Sequence, residues 1–298
     1  MNINALFIVI AGALWGIISI FVNALHSIGF SSMQIVALRV SFSAIMLVLF
    51  LLIKDKKLLK IKLKDIPLFC GTGILSIVFF NFCYFQAIEI TGSSAVPALL
   101  LYTAPIFVMF MSLFLFKEKI TVVKVIALLL TILGMCFLTG ILFGESKVNL
   151  IGFLYGIGSG FGYALYSIFG KLLLKKYSTL TITAYTFITA SIVTLPLLFI
   201  GGNSQLVFRT DSILISLCLG VISTILPYLL YTKGLQRVEA GKASILATVE
   251  PFVASIVGVA IFNETITFEK VAGMVLILCG IIILNLKRKQ NKHVNNPT

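Results

Sequence analysis

Charged residues are scarce in this sequence: they make up 11% of its 298 residues, against 59% hydrophobic residues. The mean hydropathy is +1.12. A soluble globular domain needs a polar surface and typically carries about 25% charged residues. The composition therefore excludes a soluble domain and indicates a protein that crosses a membrane several times.

Histidine is scarcer still, with only His26 and His293, and both lie outside the apolar segments. An intramembrane hydrolase needs a nucleophile beside a base, and Ser159 has no helix-borne histidine to activate it. The five cysteines lie in apolar segments without metal-ligand spacing, and the sequence has no Walker A motif. We expect no metal, no cofactor and no enzymatic activity. An intramembrane enzyme, or a membrane receptor or scaffold without transport, is the alternative.

Apolar segments long enough to span a membrane follow one another with short connections. About 20 residues of helix cross a hydrocarbon core of about 30 Å, and backbone groups in lipid must be paired within the segment. The pattern predicts an all-α polytopic membrane protein. Its ten predicted transmembrane helices lie near residues 4–25, 33–53, 66–86, 93–116, 122–143, 151–173, 179–200, 212–232, 242–262 and 268–286.

Positive charge is concentrated on one side of this predicted topology. With the N-terminus inside, 19 of the 23 Lys and Arg residues fall in cytoplasmic loops or in the tail. The positive-inside rule then predicts a multi-pass plasma-membrane protein with both termini in the cytoplasm. The net charge of +13 serves orientation and contact with anionic membrane lipids, so we expect no nucleic-acid partner. The sequence leaves the oligomeric state open.

The chain repeats itself at an offset of 146 residues. Residues 105–134 and 251–280 are identical at nine of thirty positions without a gap. The informative matches are Pro105 with Pro251, Glu118 with Glu264, Thr121 with Thr267, Lys124 with Lys270 and Gly134 with Gly280. Five helices in each copy is an odd number, so the second copy enters the membrane from the opposite side. The sequence predicts two inverted five-helix repeats, 1–143 and 150–286, and a basic cytoplasmic tail, 287–298.

Several short motifs resemble the EamA family of the drug/metabolite transporter superfamily. They are LWG at 14–16, LRVSFSA at 38–44, the Pro-x12-Glu-x-Ile-Thr pattern of 105–121, and Glu-Pro at 250–251 followed by Glu264 and Gly280. The resemblance covers essentially the whole chain. It implies a secondary transporter that moves a small organic metabolite or drug-like molecule by alternating access. We expect an exporter, and the resemblance implies no particular substrate.

Glu250 is a carboxylate deep inside a predicted helix and is followed by Pro251. Pro251 and Glu264 are thirteen residues apart, roughly 20 Å of helix at a rise of about 1.5 Å per residue. A charged carboxylate at that depth costs at least ~2.5 kcal/mol, so it should face protein, water or a bound cation. Either Glu250 faces a cavity and binds a cationic group or carries a proton, or it is protonated and hydrogen-bonds a neighbouring helix.

Other polar and aromatic residues lie well inside the predicted helices. Aromatic walls with a few polar groups would suit an amphipathic organic molecule, although ordinary helix packing explains each residue singly as well. Besides Glu250, the candidate substrate-binding or coupling residues are Trp15, Asn81, Tyr102, Thr103, Tyr163, Tyr166, Tyr228 and Thr248. Pro105 and Pro251 are candidate helix breaks.

Two features invite functional interpretations that we judge weaker. Arg39 lies six residues past Met33, about 9 Å along a helix, where its side chain could snorkel to the outer surface, so a packing or topological role is favoured. The glycines of GIGSGFG at 156–162 have no preceding strand and no nucleotide-loop spacing. We expect them to let helices 1 and 6 approach closely, or to bend helix 6.

Overall fold

A computed structural model describes residues 2–142, 149–200 and 204–286, and these residues form helices without any strand. The all-α polytopic fold is therefore confirmed. The predicted repeat boundary at 143 and the predicted tail 287–298 lie outside the described residues. We number the segments α1 (Ile3–Ile28), α2 (Ser32–Lys54), α3 (Leu63–Thr91), α4 (Ala95–Leu115), α5 (Val122–Leu138), α6 (Leu150–Leu173), α7 (Thr179–Phe199), α8 (Thr210–Leu235), α9 (Ala240–Phe262) and α10 (Phe268–Asn285).

Eight of these segments are long and apolar enough to cross a membrane. The other two are α5, which has 17 residues, and α6, which has 24 residues but contains several glycines and tyrosines. Ten crossings therefore stays a prediction.

The two repeats meet along α5 and α10 in a symmetric contact. A Cβ atom added to Gly134 would lie 2.8 Å from the carbonyl oxygen of Gly273, and one added to Gly280 would lie 2.9 Å from that of Ala127. Gly134 is equivalent to Gly280, and Ala127 to Gly273, at the offset of 146 residues. The two helices are therefore antiparallel, as a two-fold axis between inverted repeats requires, and the absence of side chains lets their backbones approach closely.

Equivalent helices α4 and α9 are both interrupted near their middle. The break in α4 falls at Tyr102–Thr103 and that in α9 at Ala247–Thr248. Pro105 and Pro251 each lie in the first turn of the helical half that follows the break, where proline is tolerated because its missing N–H has no helical partner. The breaks place helix ends, with their free backbone groups, in the interior of the molecule.

Helices α3 and α8 also deviate at related places, with π-helical turns at Gly71–Val78 and Val221–Ile225. A π-turn widens the helix and frequently accompanies a functional site.

The glycines of α6 face α3 and α4. A Cβ added to Gly160 would lie 2.7 Å from the carbonyl oxygen of Leu100, and one added to Gly162 would lie 2.9 Å from Cβ of Phe80. The expectation that these glycines bring helices 1 and 6 together is therefore wrong. Periodicity identifies a small-residue face but does not say which neighbour packs on it.

Candidate functional site

A cavity of about 450 Å³ lies among α1, α2, α3, α4, α5 and α9. Its lining includes the buried or half-buried residues Trp15, Asn81, Tyr102 and Glu250, whereas Glu264, with a side chain 51% exposed, lies at its rim. The cavity therefore leads from solvent at Glu264 to Glu250 in the interior. Its volume lies within the range of about 300–1,000 Å³ that small-molecule sites occupy.

Glu250 lies just after the break in α9, in the first turn of the second helical half. The hydroxyl of Tyr163 in α6 donates a hydrogen bond to Oε2 of Glu250 at 3.0 Å. Tyr102, at the break in α4, faces the same carboxylate. The helix N-terminus favours negative charge at this position, so a carboxylate inside the membrane region has both a donor and a favourable local dipole.

An aromatic cluster adjoins the inner end of the cavity. The ring of Trp15 lies 5.1 Å from that of Tyr228 and 6.3 Å from that of Tyr163, and the rings of Tyr166 and Tyr228 are 4.8 Å apart. Edge-to-face geometry of this kind is the preferred arrangement of aromatic pairs. Trp15 belongs both to the cavity wall and to this cluster, so the cluster forms the cavity floor.

Beyond the floor, Glu118 joins α6 and α9 at the opposite end of the molecule. Its side chain, which lies in the connection between α4 and α5, accepts a hydrogen bond from Nζ of Lys171 at 2.6 Å. It also accepts the backbone N–H groups of Ala240 and Gly241, at 2.8 and 3.2 Å, which begin α9. Burial alone would raise the pKa of Glu118, but these donors outweigh burial and hold its pKa below the usual value. Glu118 therefore binds the N-terminus of α9 as a carboxylate.

Glu264 is the equivalent of Glu118 in the second repeat, but its contacts differ. It pairs with Nζ of Lys270 at 2.8 Å. The N-terminus of α4, which is equivalent to that of α9, is satisfied locally, since the N–H of Ala95 donates to Oγ of Ser93 at 3.2 Å. The two repeats are thus related by symmetry, but their equivalent glutamates make different contacts. Glu118 binds the N-terminus of α9, whereas Glu264 does not bind that of α4.

Comparison with known proteins agrees with this architecture. The model of the EamA-like transporter family matches residues 2–140 and 150–286. The chain belongs to the EamA-like transporter family. It is 32% identical over 280 residues to a protein of Archaeoglobus fulgidus named an uncharacterized transporter, covering 93% of this chain and 94% of that protein. It is also 27% identical over 261 residues to the uncharacterized transporter YoaV of Bacillus subtilis, covering 83% of this chain and 84% of that protein.

The fold is also similar to that of a solved crystal structure. The superposition has a TM-score of 0.79 at 16% sequence identity and covers 95% of this chain and 96% of the other. At that identity the likeness shows the fold alone. The EamA-like protein is therefore a multi-pass membrane protein of a transporter family.

Arg39 of this EamA-like transporter lies in the cavity wall and is buried, with 8% of its surface exposed. The expectation that it snorkels to the outer surface is therefore wrong. The distance from the helix start gives the position of a residue along the helix but does not show which face its side chain occupies. The side chain of Arg39 lies on the cavity side of α2.

The remaining candidate residues divide into three groups. Trp15, Asn81, Tyr102, Glu250 and Pro251 line the cavity. Tyr163, Tyr166 and Tyr228 belong to the cluster at its floor. Thr103, Thr248 and Pro105 are not among the residues of the cavity wall.

Three of these polar side chains satisfy helix irregularities. Thr103 and Thr248 donate to the carbonyl oxygens of Leu100 and Ile245, each at 2.6 Å. Asn81 donates from Nδ2 to the carbonyl oxygen of Ile77 at 2.7 Å, next to the π-turn of α3. Carbonyls released at a helix break need such partners where water is excluded.

Sequence reasoning missed Tyr231 and the role of Glu118. Tyr231 lies 5.5 Å from Trp15, ring to ring, and hydrogen-bonds Ser167 at 2.7 Å within the floor. Glu118 was noted only as a mark of the repeat. The available signal was its pairing with Glu264, because a carboxylate kept at equivalent ends of two inverted halves indicates a contact used on both sides.

Proposed function

We propose that this protein is a secondary transporter that moves a small organic molecule across the plasma membrane by alternating access, in the direction of export. The observation that carries the proposal is the blind cavity, which begins at Glu264, ends at Glu250 and is bounded by both repeats. Substrate sites of inverted-repeat carriers lie at such an interface. The relatives named above are transporters, which supports transport over catalysis or a scaffold role.

The unequal contacts of Glu118 and Glu264 support alternating access. Glu118 holds the N-terminus of α9 and closes one end, whereas Glu264 is detached from the N-terminus of α4 at the open end. Exchange of these roles between inverted repeats would close the rim and open the floor. In the opposite state we propose that Glu264 accepts the N–H of Ala95, and that the contacts of Glu118 are released.

We assign direct substrate contact to Trp15, Asn81, Tyr102 and Glu250, which line the cavity. Tyr163, Tyr166 and Tyr228 form the barrier beneath the substrate, because they pack edge to face across the floor. Thr103 and Thr248 act through the broken helices α4 and α9, whose carbonyls they satisfy. Pro105 and Pro251 keep these breaks in place.

Glu250 is the coupling residue in this proposal, since it is the carboxylate at the inner end of the cavity. It either exchanges a proton or receives a cationic group while the cavity faces one side. The equivalent residue of the first repeat is Ala104, so a single carboxylate would carry the coupling.

The charge distribution orients the cavity. The loop residues Lys56, Lys57, Lys60 and Lys117 lie at the end closed by Glu118, which by the positive-inside rule is cytoplasmic. The rim at Glu264 then faces outward, and both termini lie in the cytoplasm. The structure would therefore be the outward-facing state.

The proposal is tested in two measurements. Metabolites released into the medium are compared between cells that overproduce the wild type and cells that lack the protein; transport predicts at least one small organic molecule enriched only by the wild type. Equal profiles of these two would remove the transport function, and cells that overproduce Glu250→Gln show separately whether the carboxylate is needed.

Alternating access is tested by cross-linking. In a cysteine-free background, cysteines at Ala95 and Asn263 should form a disulfide in a fraction of molecules, and this disulfide should block transport reversibly. The matched control pair, Ala95 with Gln205, should neither cross-link nor affect transport. An unchanged transport rate after oxidation, with no cross-link, contradicts the exchange of roles.

A further inference from the structure

Arg39 is a buried cation without a protein partner for two of its nitrogens. It extends from α2 into the cavity wall, with 8% of its surface exposed. Atoms Nε and Nη2 are buried, and in the part of the chain that the structure describes they have no hydrogen-bond partner. A guanidinium presents its N–H groups as a rigid planar fork. Two donors on one edge of this fork therefore lack an acceptor, although the cavity wall covers them.

The buried, unpaired guanidinium of Arg39 destabilises the folded protein. Burying an ion without a partner is strongly destabilising even after relaxation, and an intramembrane arginine normally pairs with a carboxylate or with backbone carbonyls. A purely structural arginine would be expected to have its donors satisfied by the protein. The unsatisfied fork therefore suggests a partner that arrives from the cavity.

Glu250 is not that partner. Both side chains line the same cavity and interact electrostatically, but no salt bridge joins them among the described residues, whose ion pairs all lie elsewhere. The interior of the cavity thus holds one positive and one negative group that are kept apart. A ligand placed between them meets a cation on one side and an acid on the other.

We propose that Arg39 is the anion-binding group of the transport site and that the substrate carries a carboxylate. This carboxylate accepts hydrogen bonds from Nε and Nη2 when the guanidinium turns from the wall into the cavity. The inference rests on the proposed function, since it concerns the same cavity. Carboxylate matches the guanidinium fork in planar, bidentate geometry. A phosphate monoester fits less well, because its second negative charge would face the carboxyl group of Glu250 without a further cation.

The aromatic residues of the cavity wall indicate the chemistry of the rest of the substrate. Trp15, Phe80, Tyr84 and Phe85 line the cavity together with Tyr102, and flat apolar surfaces of this kind favour an apolar body attached to the carboxylate. The substrate class is therefore a small organic carboxylate with an apolar or aromatic portion.

The chain supplies its own reporter of binding. Trp15 is the single tryptophan of the sequence and lies in the cavity wall, so its fluorescence reports what enters. The test is a titration of the purified full-length protein with 3-phenylpropionate, phenylalanine, benzoate and hexanoate, each beside its methyl ester. We expect saturable changes in emission for one or more acids, with an affinity for the ester at least about tenfold lower, since an ester loses the charge-assisted hydrogen bonds.

Variants assign the selectivity to Arg39. Arg39→Gln should lower the affinity for the acid by about tenfold or more and leave the weak affinity for the ester unchanged. Arg39→Lys should recover part of the affinity, because it keeps the charge but loses the bidentate geometry. The matched control is Arg209→Gln, which removes an exposed arginine paired with Asp211 and should bind like the wild type. Monodispersity and helical content of each variant are measured first, and Arg39→Lys serves if Arg39→Gln does not fold.

The outcomes separate this inference from the proposed function. Acids that bind no more tightly than their esters, or that bind the folded Arg39 variants as tightly as the wild type, overturn the inference, and transport by the protein is unaffected by that result. Acid-selective binding that depends on Arg39, without flux of the same acid in proteoliposomes, supports the anion site and contradicts transport.

Discussion

Lys117 and Asn263 are 146 positions apart and adopt the same left-handed backbone, with φ of 55° and 53°. Each follows the second half of a broken helix, α4 or α9. The next residue, a glutamate, donates its N–H to a carbonyl six residues earlier, at 3.2 Å in one repeat and 3.0 Å in the other. This hydrogen bond closes a turn one residue wider than that of a Schellman cap. The two caps aim Glu118 and Glu264, so the same turn at opposite ends of the molecule positions the two equivalent carboxylates.

The left-handed caps predict unequal effects of glycine. The left-handed conformation costs roughly 1–2 kcal/mol for an ordinary residue, whereas asparagine tolerates it. Lys117→Gly should therefore stabilise the protein by about 1 kcal/mol, less the backbone entropy of glycine, and Asn263→Gly should have an effect near zero. Apparent melting temperatures of the purified proteins in one detergent compare the two. An equal shift in both variants, or a loss at Lys117, would contradict the cap assignment.

The seam between α5 and α10 predicts a steric effect at Gly134. A Cβ there would lie 2.8 Å from both the Gly273 oxygen and Cγ1 of Ile277, whereas a Cβ at Gly170 would first meet Cδ2 of Leu235 at 3.7 Å. Overpacking typically costs about 1–3 kcal/mol, so Gly134→Ala should lower the apparent melting temperature and Gly170→Ala should not. Comparable stability of the two variants would show that the helices separate freely.

The position of Glu250 predicts an altered dependence of transport on pH. Glu250→Gln keeps the size and hydrogen bonding of the side chain but cannot ionise. Flux of the identified substrate into proteoliposomes, measured from about pH 5.5 to 8.5, should show an inflection in the wild type that the variant lacks. The control is Glu89→Gln, which changes an exposed carboxylate outside the cavity wall. If Glu250→Gln transports normally with the wild-type profile, the carboxyl group is structural.

The donors around Glu118 predict loss of stability in acid. Its pKa is lowered in the folded protein, so the stabilisation is complete above the unfolded value of about 4.3 and is lost as the pH falls through the folded value. Glu118→Gln should cost about 2 kcal/mol near neutral pH, the scale of a hydrogen bond to a charged group. The difference from the wild type should shrink below about pH 4. A difference that is constant over this range would mean that the ionised form contributes nothing.

The charge distribution predicts the sidedness of two exposed loops. In a background without the five native cysteines, a cysteine at Lys57 should be shielded from a membrane-impermeant maleimide applied to intact cells, and one at Gln205 should react. Both residues are exposed, so accessibility alone does not distinguish them. The reverse pattern would place the termini outside.

The sequence allowed the helical class and the internal repeat to be predicted because these depend on composition and on spacing along the chain. The match of Pro105 with Pro251 located two helices that are in fact broken just before each proline. The burial of Glu250 followed from counting residues to Glu264. Composition and the spacing of residues along the chain are the same in the sequence and in the folded protein.

Rotation about helix axes and pairing of helices could not be predicted in the same way. Arg39 was expected to reach the outer surface, but its side chain is buried in the cavity wall. The glycine face of α6 was recognised, yet its partners are Leu100 and Phe80 of α4 and α3. When nearly every residue of a helix is apolar, hydropathy does not distinguish the face that contacts lipid from the face that contacts protein. Which residues face a neighbouring helix is therefore known only from the packed structure.

The contact between Gly134 and Gly273 is related by the two-fold axis to that between Gly280 and Ala127. Exchanging the roles of the two repeats puts each of these contacts in the place of the other, so the seam keeps the same antiparallel geometry before and after the exchange. The seam between α5 and α10 would therefore be the pivot of the exchange, and it would favour neither end state. Added bulk at Gly134 would therefore retard movement in both directions alike, whereas a change at Glu118 or Glu264 would favour one end state over the other.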